Sequence, residues 1–257
     1  MFSVPYLTQS AGKRLLSNVR RCPGLTVKAG SSACTMICMT ASPSSLSHEA
    51  LAAAQDTRLP DQILTQWFGS ARPGNADALQ HKAQWFTKSA AFDEELRQRF
   101  GAAVEAALGG ALQPWATRGP WQQLALVILL DQFTRNIHRN TPRSFAGDAQ
   151  ALPLALQAIG SGTDRQLPEV ARVFLYLPLE HAENPAMQLR SVAAFEALLQ
   201  DATDAGLRDY LAGSLDYARR HQAVIARFGR FPHRNHILGR TSTAEETEYL
   251  AQPGSGF

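Results

Sequence analysis

Three short segments concentrate the side chains able to hold charge or move protons. The densest runs from Arg227 to Arg240, where Arg227, Arg230, Arg234 and Arg240 alternate with His233, Asn235 and His236 around Pro232. Guanidinium groups at this density are costly to desolvate unless carboxylates or an anionic ligand answer them. A second segment sets Asp131, Arg135 and Arg139 at i, i+4 and i+8 of a helical pattern, with Asn136 and His138 beside them. A third, Glu180-His181-Ala182-Glu183, directly follows Pro178 and Leu179. A carboxylate next to an imidazole can serve acid–base chemistry, because each partner moves the other's pKa toward neutrality. Glu180 and His181 are therefore the candidate catalytic residues. Asp131, Arg135, Asn136, Arg139, Arg230, His233, Arg234 and Asn235 are the candidate ligand-binding residues, with Arg135, Arg230 and Arg234 holding negative charge.

Each segment also has a plainer reading. Asp131 and Arg135 can pair weakly at a solvated helix end, where the gain is well under ~1 kcal/mol. In the tail, Arg230 and Arg234 can clamp Asp131 and Glu180 as a structural plug, while Phe228 and Phe231 fill the core. Trp67, Phe68, Trp85 and Phe86 read as core before they read as a ligand platform. His181, His221, His233 and His236 form no recognised short metal motif, so neither a metal nor a cofactor is expected. Nothing resembles a glycine-rich phosphate loop or a nucleophile elbow, and Ser191 and Ser214 have no context that marks a nucleophile.

Composition narrows the partners. With 45% hydrophobic and 18% charged residues, the 257-residue chain can bury a full core. The formal net charge of +3 is unevenly spread: residues 1–50 hold five basic side chains and one acid, leaving 20 Lys and Arg against 21 Asp and Glu in the rest. So balanced a body lacks the cation surplus that general capture of nucleic acid needs. RNA binding through the interleaved Arg and Phe of the tail is accordingly the weakest reading. All three cysteines, Cys22, Cys34 and Cys38, fall in the first fifty residues, so no disulfide or zinc–thiolate site can tie the body together. The longest apolar runs, such as Leu124 to Leu130, are far short of the roughly 20 residues that span a bilayer. A cytoplasmic protein without membrane contact is expected.

Residues 1–50 are expected to be a leader without packed structure, and 51–257 an all-helical domain. The basic, Ser-rich stretch 1–48, which contains no acid, fits a mitochondrial transit peptide, sequence upstream of a true start at Met36 or Met39, or a disordered tail.

Helices must position the polar segments. Pro60 to Phe68 forms one, stopped by Gly69; Phe92 to Leu108 forms another, stopped by Gly109-Gly110. Pro120 to Ile137 is a central, largely buried helix. Thr141-Pro142 starts a fourth that runs to Ile159 and kinks or splits at Pro153. Pro168 opens a fifth, broken by Pro178, and Asn184-Pro185 caps a sixth that ends near Leu199. Asp204 begins a seventh with Tyr217, His221, Val224 and Phe228 on one face, and Thr243 with Glu246, or Ser242 with Glu245, forms a capping box for the last. Short loops imply antiparallel neighbours.

Four blocks together resemble the DUF924 family of bacterial proteins. They are Ile63-Leu-Thr-Gln-Trp-Phe-Gly69 with Trp85-Phe86, Leu129-Leu-Asp-Gln-Phe-Thr-Arg-Asn-Ile137, Phe174-Leu-Tyr-Leu-Pro-Leu-Glu-His-Ala-Glu183, and Arg227 to Arg240 with Thr241-Ser-Thr243. The resemblance covers residues 59–257 and implies a tetratricopeptide-like array of about eight antiparallel helices, without supplying an activity. Thr134 stands where the family usually has proline, and Ala182 where serine is common. Two functions fit: a pocket for a small anionic molecule with acid–base chemistry, or a helical scaffold that binds a peptide or protein and uses the charged segments as internal staples.

Overall fold

The computed structural model describes Ala52 and residues 55–256; the expectations for residues 1–50 lie outside this range. Among the described residues the fold is helical, with no strand and no helix long and apolar enough to cross a membrane. Helix α1 is Leu59–Phe68, with Pro60 in its first turn and Gly69 closing it at φ 79°. Two single-turn helices that the sequence pattern did not reveal follow, α2 (Asn75–Leu79) and α3 (Lys82–Phe86). Helix α4 spans Ala90–Leu108, its Ser89 side chain capping the Phe92 N–H.

The central helix starts at Pro120 and ends at Ile137 as expected, but not as uniform α-helix. It comprises α5 (Pro120–Val127), a π turn (Ile128–Phe133) and α6 (Thr134–Ile137). The Thr134 N–H reaches back to the Leu129 carbonyl, five residues away. The Leu130 carbonyl accepts the Thr134 hydroxyl at 2.7 Å. Next comes a 3-10 turn (Pro142–Phe145) and then α7 (Asp148–Ser161). The break thus falls at Ala146-Gly147 and not at Pro153, through which α7 continues. Its cause is steric: a Cβ on Gly147 would lie 2.1 Å from the Leu130 carbonyl oxygen, so the chain presses backbone to backbone against the π turn.

Helix α8 (Glu169–Glu180) is buried from Val170 onward and runs through Pro178 to end at His181. The Gln188 side-chain amide closes this end by donating to the Glu180 carbonyl at 2.6 Å and the Ala182 carbonyl at 2.8 Å. Gln188 lies on α9 (Pro185–Asp201), which Asn184 caps as expected. Helix α10 (Ala205–Phe228) is stopped by Gly229 at φ 71°. Its buried stripe is Leu207, Leu211, Leu215, Ala218, His221, Val224 and Ile225, whereas Tyr217, expected on that face, is 50% exposed. The stripe advances in four- and then three-residue steps from Leu207 to Val224, as a 3.6-residue period allows, and this selects Ala218 over Tyr217. A 3-10 turn (Pro232–Arg234) leads to α11 (Ala244–Leu250), which carries the expected Thr243/Glu246 capping box.

Packing centres on the middle of the chain. Trp67 sits 5.7 Å from Phe133 and 5.5 Å from Phe174, ring centre to ring centre, and Trp85 is 4.7 Å from Phe174. Trp67, Phe68 and Trp85 are core residues, while Phe86 is 65% exposed. Helix α4 packs on the π turn and α6, α7 and α9 pack on α8, and α10 lies along α9.

The contact at Gly147 predicts that Gly147→Ala destabilises the fold by roughly 1–3 kcal/mol, as overpacking against backbone does. Urea denaturation of the variant beside the wild type measures this; equal midpoints would show that the π turn yields without cost.

Candidate functional site

The π turn lies beneath the polar cluster. It carries Asp131, which is fully buried. Oδ1 of Asp131 is 2.8 Å from His181 Nδ1 and 3.2 Å from Arg135 Nη1, and Oδ2 accepts the Gln132 amide at 2.7 Å. Burial alone would push the Asp131 carboxyl up, but Arg135 and His181 outweigh it and hold the group well below the usual carboxylate range. Arg135 also donates to the Asp131 carbonyl at 2.6 Å and grips both oxygens of Asp148 at 2.8 and 3.0 Å. Asp148, in the first turn of α7, is thus a central acceptor that the sequence reading missed. A glycine followed by an aspartate is a helix-start signal, but it was hidden inside a helix expected to begin at Thr141.

Arg234 reaches the same carboxylate only at 3.7 Å. Its guanidinium lies 4.7 Å from the Phe145 ring centre and 4.5 Å from that of Phe231. Two aromatic rings therefore lie within cation–π reach of it. The side chain is 7% exposed, and its Nε has no hydrogen-bond partner among the described residues. Burial, and then the charge of Arg135, lower its pKa to about 10.

Glu180 pairs with His221 and not with an arginine. His221 Nδ1 donates to the Tyr217 carbonyl at 2.8 Å and stands 3.2 Å from Glu180 Oε1. Burial, reinforced by the charge of Asp131, raises the Glu180 carboxyl to about 8; burial lowers His221 to about 3. Near pH 7 this contact therefore joins two neutral groups. His233 is lowered to about 4, first by burial and then by Arg234. His181 is also lowered, by burial and then Arg135, with Asp131 opposing both.

The remaining expected residues turn elsewhere. Asn136 and Arg139 both bind Asp93 on α4, at 2.7 Å and at 2.7 and 2.9 Å. The segment from Asp131 to Arg139 begins in the π turn and passes the end of α6 at Ile137, so Arg139 does not continue the helical face of Asp131 and Arg135. Arg230 clamps Glu246 at 2.6 and 2.7 Å, and Asn235 donates to Ser242 at 3.0 Å and to Glu246 at 3.3 Å. The expected clamp of Arg230 and Arg234 on Asp131 and Glu180 does not form, because Arg135 and His181 occupy Asp131 and His221 faces Glu180. Glu183 binds Arg240 at 2.6 and 2.9 Å and accepts the Phe231 N–H at 2.8 Å, which anchors the tail to the end of α8. Arg143 pairs with Glu105 at the surface, and His236 is exposed.

The structure thus gathers Asp131, Arg135, Glu180, His181, His233 and Arg234 from the expected set, and adds Asp148, His221, Phe145 and Phe231. None of the described His, Cys, Asp and Glu side chains forms a group of three placed to hold a metal ion. Two surface clefts, of about 280 Å³ between α9 and α10 and about 200 Å³ beside Gly119 and Thr163, lie away from the cluster. The cluster's openings to solvent are the edges of Asp148, Arg135 and His181, whose side chains are 26%, 19% and 15% exposed.

The chain is an all-helical protein with a polar cluster packed between its central helix, the end of α8 and the C-terminal turn. Residues 63–254 match the model of a family described as bacterial proteins of unknown function, DUF924, and the chain belongs to that family. It is similar to a solved structure of a protein of unknown function from Agrobacterium tumefaciens, with 37% identity and a TM-score of 0.63 over 75% of this chain and 97% of that one. No protein of curated function matches the chain.

Glu180 yields a pH prediction. A glutamate in an unfolded chain titrates near ~4.3, whereas in the fold Glu180 keeps its proton to about 8. Its protonated state favours the fold fully below the unfolded pKa, and this contribution is lost as pH rises toward the folded value. His221 and His233, lowered in the fold, lose their contributions only as pH falls below ~6.5. Between pH 6.5 and 8.5 the wild type should therefore lose roughly 2 kcal/mol that Glu180→Gln retains. Chemical denaturation at the two pH values tests this, and parallel behaviour of both proteins would refute a protonated Glu180.

Proposed function

We propose that the cluster binds a small anionic molecule, such as a carboxylate or phosphate. Arg234 carries this reading. A guanidinium beside two rings still needs acceptors for its in-plane N–H groups, and at Arg234 the buried Nε–H has none among the described residues. Burying a charge without hydrogen bonds is destabilising, so a protein that retains one gives up stability for something other than its own packing. Arg135 is already committed to Asp131 and Asp148, which leaves Arg234 as the cation with donors to offer. Planar bidentate donors of this kind suit a carboxylate or phosphate edge.

A second reading has a specific observation behind it. Arg139, Arg230 and Arg240 each grip a carboxylate through two bonds. They support a tetratricopeptide-like, antiparallel scaffold whose charged segments are internal staples and whose ligand is a peptide or protein.

Arg234→Met separates the two, because methionine fills the slot between the rings without charge. For an anion site, the variant melts at or above the wild-type temperature, and the stabilisation that inorganic phosphate or malonate gives the wild type disappears. That stabilisation is about 2.7 kcal/mol at a ligand concentration one hundred times Kd. For a staple, the variant loses roughly 3–5 kcal/mol, the cost of breaking a buried pair. Such a loss, with neither anion stabilising the wild type in a thermal-shift titration, would overturn the anion reading.

A further inference from the structure

We propose that the Asp131–His181 pair is the proton-transfer centre of this site and that His181 Nε2 is the atom that takes up and returns the proton. The inference rests on the anion-binding reading and adds to it a base, its orienting carboxylate and a step.

The geometry fixes the tautomer. Asp131 is ionised, so the 2.8 Å contact requires His181 Nδ1 to carry hydrogen and donate, leaving the lone pair on Nε2. Asp131 itself cannot turn, because Oδ1 also meets Arg135 and Oδ2 holds Gln132. The backbone of His181 is equally restrained: its N–H bonds the Leu177 carbonyl at 2.8 Å, and Gln188 ties the carbonyls on either side, Glu180 and Ala182. Nε2 makes no hydrogen bond among the described residues, and the side chain keeps 15% exposure. A fixed, partly exposed imidazole whose basic nitrogen has no hydrogen-bond partner among the described residues is the arrangement a general base needs.

Neighbouring groups do not offer the same service. Glu180, the other candidate, is 4% exposed and faces His221, itself 4% exposed, so the two are engaged with each other in the interior. Both therefore act as positioning residues. The hydroxyls of Thr134 and Ser144 are committed to the carbonyls of Leu130 and Thr141. Facing His181 are Asp131 and Arg135 from the central helix, Asp148 from α7, His221 from α10 and His233 from the C-terminal turn. Burial, and then Arg135, lower the pKa of the imidazole, and Asp131 stabilises the imidazolium once it forms.

In the step, an O–H or activated C–H bond of the bound anion breaks and its proton moves to Nε2. The electron pair stays on the donor atom, stabilised by Arg234, while Nδ1–H remains on the ring against Asp131. The proton later returns to the ligand from the same nitrogen, so no co-reactant is consumed.

Diethyl pyrocarbonate tests the assignment on the full-length protein, because an unprotonated imidazole nitrogen attacks its carbonyl and expels ethyl carbonate. Peptide mapping by mass spectrometry should find His181 modified several-fold faster than His221 and His233. Excess inorganic phosphate should slow modification of His181 and leave the exposed His236 unchanged. Long-range ¹H–¹⁵N spectra of the wild type should show His181 with hydrogen on Nδ1 and a lone pair on Nε2, and Asp131→Asn should shift that tautomer and slow the modification. Because Asp131→Asn could fail to fold, the wild-type spectrum stands as a separate check. An unreactive His181, or one with hydrogen on Nε2, overturns the proton-transfer assignment and leaves anion binding standing. A reactive His181 that phosphate does not protect overturns the anion site and leaves the base standing.

Discussion

A fully buried carboxylate in the middle of the core helix is the constraint to which much of this structure answers. Asp131 is surrounded by the most apolar stretch of the chain, where an uncompensated charge is prohibitive. Its compensation comes from elements far apart in sequence: Arg135 from the next turn, His181 from the end of α8 and, through Arg135, Asp148 from the start of α7. The π turn belongs to the same solution. Insertions of this kind are expensive and concentrate where a side chain must be re-aimed. Here the deformation is secured on one side by the Thr134 hydroxyl and on the other by the chain at Gly147.

Two populations of arginine follow from that centre. The outer ones are spent on carboxylates in two-bond grips that fasten α6 to α4, the C-terminal turn to α11, and the tail to the end of α8. Their exposure is partial, which moderates their energetic weight. Arg234 differs in kind, since its environment is aromatic and its nearest carboxylate already belongs to Arg135. The cluster is thus assembled from the outside inward, with saturated pairs at its margins and one under-committed cation within.

Local signals in the sequence were read well where local physics decides the outcome. Glycine stops at Gly69 and Gly229, the Asn184 and Asp204 caps and the Thr243/Glu246 box occupy their expected places because each satisfies its own helix end. Sequence spacing failed where the tertiary structure chooses among partners. It could not show that Arg139 and Asn136 would find Asp93, forty-six and forty-three residues earlier, or that Arg230 would find Glu246. A π turn leaves no periodic trace, so the relation of Asp131 to Arg139 was misjudged along one face. Asp148 was hidden by the wrong helix start, and Phe145 had no reason to stand out before Arg234 was seen lying on it.

The position of Arg234 in the chain sets an order of events. Synthesis proceeds from the N-terminus, so the central helix, α7, α8 and α10 are all made before the turn at Pro232–Arg234. Until that turn docks, one face of Phe145 lacks its cation and Glu183 lacks both Arg240 and the Phe231 N–H. The helical body can therefore assemble around Asp131 with its own counter-charges before the turn at Pro232–Arg234 closes the cluster. Closure of the cluster thus follows the synthesis of the helices on which it rests.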